Sequence, residues 1–81
     1  MTLILMITDE QEKRIKEIGA RIKALRIRSG YTSYETFATD HDLPRKNYWR
    51  LETGYNFTIA TLLRILDIHK MTMDEFFKEL K

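Results

Sequence analysis

Lys46, Trp49, Arg50 and Thr53 are spaced so that a helix starting at Arg45 carries all four on one face. An ammonium, an indole, a guanidinium and a hydroxyl in that arrangement offer positive charge, several hydrogen-bond donors and one large apolar ring. Arg45 and Asn47 flank the same face. Such a surface suits phosphate oxygens and the edges of nucleic-acid bases, and none of its groups is placed to make or break a covalent bond. The rest of the chain is as poor in catalytic material. His41 and His69 are far apart, no carboxylate stands at metal-ligand spacing from either, and there is no Cys, no Gly-rich phosphate loop and no nucleophile motif. The expectation is a non-enzyme without metal or cofactor, in which His41 is a turn residue and His69 a partly buried histidine with a hydrogen bond.

A basic, aromatic helix needs a second helix to hold it at the surface, and the stretch from Phe37 to Gly54 supplies both with a tight reversal between them. Phe37 and Ala38 belong to an inward face. At His41-Asp42 a short polar residue can take the left-handed conformation of a sharp turn. Leu43 points back to the core, and Pro44 suits a helix start because its missing N–H would be unpaired there anyway. The second helix is predicted from Arg45 to Thr53, with Tyr48 and Leu51 facing inward and Gly54 as the C-terminal stop. These elements read as a helix-turn-helix.

This window resembles the Cro/C1-type (XRE family) helix-turn-helix regulators of phages and bacteria. Phe37, Ala38, Leu43, Tyr48, Leu51, Glu52 and Gly54 stand, without a gap, where that family has its first-helix apolar residue and Ala, its turn anchor, its two recognition-helix anchors and its Glu-x-Gly. The likeness extends upstream through IGARIKALR and downstream through TLLRILDIHKMTMDEFF. The departures are Asp42 for the usual Gly of the turn, Ser33 or Tyr34 for the usual Gln, His69-Lys70 for a late Leu-Gly pair, and a loop after Gly54 that is one residue short and lacks its frequent Pro. The resemblance implies an all-α, five-helix, lambda-repressor-like domain whose second and third helices bind double-stranded DNA. It also implies that Arg26 pairs with Glu52, where spacing alone would leave Arg26 a solvated charge. The loop and helix start at Asn56 and Thr58 become candidates for backbone phosphate, as does the start of the first motif helix at Ser33 and Tyr34. For Tyr34 the alternative is ordinary packing on the first helix.

Eighty-one residues make one domain, and a chain so short buries only about 60–65% of its unfolded surface, so a partner subunit would help. Formal charge is +2, too small to identify a nucleic-acid binder, but its distribution is uneven. Between Glu10 and Gly30 seven Lys or Arg face three Glu, and Pro44 to Leu51 holds three basic residues and no acid. The absence of Cys fits a reducing bacterial cytoplasm. Residues 1–8 read as a short arm whose apolar run, Leu3 to Ile7, is too brief to span a bilayer and lacks the marks of a signal peptide. It is expected to pack on its own domain or on a twin, with membrane contact the minor reading.

Residues 9–81 form the domain. Asp9 is predicted to cap a helix to about Ser29, with Glu12 completing a capping box, Ile15, Ile18, Ile22 and Leu25 facing inward, and Gly30 as the stop. Thr32 or Ser33 caps the next helix. Thr58 caps a fourth with Ile59, Leu62, Leu63 and Leu66 as its apolar stripe, and Thr72 a fifth with Met73, Phe76, Phe77 and Leu80 on one face. Two adjacent Phe exceed what a terminal helix easily hides, which suggests a partner surface. The expected protein is a dimeric, repressor-like transcriptional regulator, in which Lys46, Trp49 and Arg50 read or press on bases and the choice of guanine or phosphate for Lys46 and Arg50 stays open. Two other readings remain: an antitoxin or interaction module whose C-terminal face binds a partner protein such as a toxin, and a controller of a restriction-modification system. Gene neighbourhood and pull-down discriminate among them.

Overall fold

The computed structural model describes residues 7–78 and Leu80. They form five helices, α1 (Asp9–Arg28), α2 (Tyr34–Asp40), α3 (Arg45–Thr53), α4 (Ile59–Ile68) and α5 (Met73–Lys78), and no strand occurs among them. Of the apolar arm only Ile7 is described, and it is exposed; Leu3 to Met6 lie outside the described residues. No helix among the described residues is long and apolar enough to cross a membrane.

α1 begins one residue earlier than its acidic start suggests. Thr8, assigned from sequence to the arm, is the cap: its hydroxyl accepts from the Gln11 N–H at 3.1 Å, and its own N–H donates to Oε1 of Gln11 at 3.0 Å. The capping box is therefore Thr8–Gln11 and not Asp9–Glu12. Asp9, Glu10 and Glu12 fall in the first turn, where their charge favours the positive end of the helix dipole.

One backbone device ends four helices. Gly30, Asp42, Gly54 and Lys70 each take a positive φ, between 54° and 99°, and the N–H of the following residue returns to a carbonyl five residues back. These bonds run from Tyr31 to Arg26, Leu43 to Ala38, Tyr55 to Arg50 and Met71 to Leu66, the pattern of a Schellman stop. Asp42 holds the left-handed position expected for it, and the Asp42 carbonyl also accepts from the Arg64 guanidinium at 3.0 Å. Lys70 takes the same conformation although it is neither Gly nor Asn.

The core gathers Ile22 and Leu25 from α1, Phe37 and Ala38 from α2, Tyr48 and Leu51 from α3, Leu62, Ile65 and Leu66 from α4, and Phe76 from α5. The α4 stripe differs from the expected one. Ile65 is sealed, whereas Ile59 and Leu63 are 60% and 43% exposed, because the helix meets the core along the narrow line of 62, 65 and 66 and leaves 59 and 63 on its flank. On α5 only Phe76 is sealed, with Met73 and Phe77 exposed; Leu80, expected on the same helix face, lies beyond the helix and is half-buried. Thr72 and Glu75 cap α5 reciprocally at 3.0 and 2.9 Å. Arg21 of α1 fastens it, donating from Nε to the Phe76 carbonyl at 3.0 Å and lying over the Phe76 ring.

Candidate nucleic-acid interface

α3 is held from its inner side by three contacts. Tyr48 and Leu51 are buried at 1% and 5% exposure, as their three-residue spacing requires. Gly19 lets the α1 backbone press on the end of α3: a Cβ at position 19 would lie 2.5 Å from the Leu51 carbonyl oxygen and 2.9 Å from that of Glu52. Arg26, on the same face of α1 two turns later, donates from Nε and Nη2 to the two carboxylate oxygens of Glu52 at 2.7 and 3.1 Å. Its Nη1 also donates to the Tyr31 carbonyl at 2.8 Å, so the guanidinium ties α1, the α1–α2 connection and α3 together. The carboxylate raises the Arg26 pKa above its ordinary value. The Tyr48 hydroxyl is buried beside this pair, and burial together with the Glu52 charge pushes its ionisation far above that of a free tyrosine.

The outer side of α3 is free. Arg45, Lys46, Asn47, Trp49 and Arg50 are all exposed, and Trp49 keeps 41% of its surface in solvent. Thr53 shares this face but donates its hydroxyl to its own helix, to the carbonyls of Trp49 and Arg50 at 3.1 and 3.2 Å. α3 lacks a side-chain cap, since Pro44 occupies that position and offers none, so the first N–H groups of the helix stay available.

Two hollows flank α3 and gather most of the predicted site residues. Tyr34 joins Arg45, Lys46 and Trp49 in one, with Glu35 as its acidic wall. Asn56 and Thr58 join Asn47 and Arg50 in the other. Tyr34 is half-buried and packs against the core while lining its hollow, so packing and access coexist at this residue. Ser33 lies outside both hollows. Its hydroxyl caps α2, accepting from the N–H groups of Glu35 and Thr36 at 3.1 and 3.3 Å, which settles the choice against Thr32 and leaves one O–H to donate outward. Thr58 likewise caps α4 and shares its hydroxyl with that of Thr61 at 3.0 Å. Asn56 accepts from the Phe57 N–H at 2.9 Å through Oδ1, and its amide NH₂ keeps two donors.

The protein-family models, curated proteins and solved structures compared with this chain include none that matches it.

What α3 offers follows from its own chemistry. Nine residues make a rod about 13 Å long, and the B-DNA major groove, about 12 Å wide, admits a helix of this kind. The outward groups are donors almost throughout, and the one large apolar face is that of Trp49.

Gly19 and Tyr55 are site residues that sequence reasoning missed. Gly19 had a signal, because a glycine inside a helix of good helix formers weakens it by about 1 kcal/mol relative to Ala and so points to a packing reason. Tyr55 had none beyond its place in a loop. Its ring lies 5.5 Å from the Arg50 guanidinium carbon and 6.4 Å from the Trp49 ring. The histidines also exceed their expected roles. His41 is half-buried against Phe37, ring centres 4.5 Å apart, and His69 stacks on the same ring at 5.5 Å and 9°.

Proposed function

We propose that the chain is a small, sequence-specific duplex-DNA-binding protein of the prokaryotic transcriptional-regulator kind. In this reading α2 and α3 are the helix-turn-helix of a lambda-repressor-like domain of Cro/C1 type. One observation carries the proposal: α3 is clamped along its inner side by Gly19, Tyr48, Leu51 and the Arg26–Glu52 pair, and presents Arg45, Lys46, Asn47, Trp49, Arg50 and Thr53 outward. A clamped helix without an acid on its exposed face meets the two needs of groove docking, a fixed orientation and attraction to phosphate.

In the docked state α3 enters the major groove with its N-terminal half against base edges. Arg50, Lys46 and Asn47 supply donors to base edges or phosphate, and Trp49 lays its ring on a thymine methyl or the sugar wall. Asn56, Thr58, Ser33 and Tyr34 contact the backbone on either side and set the register. One short helix reads few bases, so the chain acts as a two-fold dimer on a near-palindrome with half-sites about 10 bp apart. Selection from random duplex DNA, followed by titration at two salt concentrations, tests the proposal: enriched sites and a steep salt slope support it, and failure to enrich any sequence rejects it.

A second reading has its own observation. Met73 and Phe77 on α5 stay 38% and 37% exposed, and Ile59 and Leu63 on α4 more so. An antitoxin-like module would use such apolar surface on a partner protein. A stable complex recovered by pull-down, with no DNA site enriched, decides for it.

A further inference from the structure

Tyr55 is an exposed aromatic residue at the edge of the outward face, 55% accessible, that the docking described above does not use. The stop of α3 explains why it is there. Gly54, at φ 99°, turns the chain so that the Tyr55 N–H meets the Arg50 carbonyl at 2.9 Å and the Gly54 N–H meets that of Leu51 at 3.3 Å. In a Schellman stop the residue after the left-handed glycine is drawn beside the residue five before it, and an apolar contact between their side chains commonly forms. After α1, α2 and α4 the residues in that place are Tyr31, Leu43 and Met71, all half-buried against the core. Tyr55 differs. Its partner is Arg50, whose guanidinium carbon stands 5.5 Å from the ring centre, and the Trp49 ring lies 6.4 Å away at 52°.

We propose that Tyr55 is a positioning residue of the recognition face: its ring holds the Arg50 guanidinium and braces the Trp49 indole, so that both meet DNA already ordered. The role rests on the DNA-binding reading of α3 and specifies what keeps that face in one shape. An arginine on an open helix surrenders rotamers when it binds, and a ring beneath its guanidinium removes part of that loss beforehand. A guanidinium that stacks on a ring does so through its flat face. Its N–H donors lie in the plane and stay available to a guanine edge or a phosphate. The backbone bond between Tyr55 and Arg50 keeps the two residues adjacent without DNA.

The test joins a free-protein measurement to a binding measurement. In proton NMR of the free chain, the Arg50 δ-protons are expected upfield, shifted by the ring current, in wild type and Tyr55→Phe but not in Tyr55→Leu. On the duplex that wild type enriches from a random library, Tyr55→Leu is expected to weaken binding about two- to fivefold, the range of an exposed cation–π contact, and Tyr55→Phe to bind like wild type. In an Arg50→Ala background Tyr55→Leu is expected to cost distinctly less than in wild type, the remainder being its brace on Trp49. Equal losses in both backgrounds overturn the role. A Phe variant as weak as the Leu variant also overturns it, because the hydroxyl is then a direct contact. Absence of the upfield shift, while wild type still selects DNA, overturns the role alone. A wild type that selects no duplex overturns the DNA-binding reading and this role with it, whether or not the shift is present.

Discussion

The Arg26 guanidinium holds both carboxylate oxygens of Glu52, at 2.7 and 3.1 Å, and the two side chains are only 5% and 6% exposed. The pair joins α1 to the last turn of α3, so whatever tilts it tilts the outward face. Glu52→Ala leaves the buried guanidinium without its counter-ion and is expected to destabilise the fold by about 2–4 kcal/mol. In a domain of this size that lowers the melting temperature by about 10 °C or more. A melt indistinguishable from wild type would show that the pair does not carry this interface.

Gly19 gives a second handle on the same interface. Alanine is the better helix former, by about 1 kcal/mol, so in an exposed helix Gly19→Ala would stabilise. Here the added methyl meets the Leu51 carbonyl at 2.5 Å, a backbone atom that cannot swing aside. The two helices must separate, and a net loss of about 1–3 kcal/mol is expected. Chemical denaturation of the variant reads the sign directly, and a gain in stability would mean that the helices part without cost.

On the outer face the variants are expected to differ in kind. Truncating a side chain that reads a base costs about 1–3 kcal/mol of binding and relaxes preference at one position, whereas truncating one that holds a phosphate weakens all sequences alike and reduces the salt slope by about one. Lys46→Ala and Arg50→Ala, titrated on the selected site and on scrambled DNA, sort the two residues between these outcomes. Tyr48→Ala, its ring buried at 1% exposure, should lose stability by about 3–5 kcal/mol. If Lys46→Ala, Trp49→Ala and Arg50→Ala all bind unchanged while folded, α3 is not the reading head.

His69 predicts a pH dependence. Its Nδ1 lies 3.4 Å from the Ser29 hydroxyl, and its buried Nε2 has no partner among the described residues. Burial, and after it the electrostatic effect of neighbouring His41 and Arg28, lowers its pKa below the ordinary 6.5. Above that value the ring is neutral in both folded and unfolded chains. Below it the unfolded chain takes up the proton first, so stability falls as pH drops through 6.5 toward the lower folded value and then levels off. His69→Leu is expected to remove this component and, by deleting an unpartnered buried nitrogen, to stabilise the neutral-pH fold by about 1 kcal/mol. Melts of both proteins at pH 7.5 and pH 5.5 check this; parallel losses on acidification would place the dependence elsewhere.

The sequence by itself determined the local features. The bounds of α3 at Arg45 and Thr53, the inward turn of Tyr48 and Leu51 and the left-handed stops at Asp42 and Gly54 follow from proline and glycine punctuation and a 3.6-residue period. Both act over a few residues and need no neighbour. The period gives only a helix's own phase, however, and not which part of an apolar stripe another element covers. Packing therefore decided that Ile65 is sealed while Ile59 and Leu63 stay wet. The point at which the chain enters the helix decided that Thr8 with Gln11, and not Asp9 with Glu12, caps α1, since Asp9 is already helical and the Glu12 N–H bonds the Thr8 carbonyl. The approach of Gly19 to Leu51, the bonds of Arg21 to Phe76 and the placement of His41 and His69 on one Phe37 ring all join residues distant in sequence, and only the tertiary structure brings them together. Tyr55 on Arg50 is the instructive case: the glycine made the stop legible, but whether the next ring turned to the core or to the surface arginine depended on which of them it could reach.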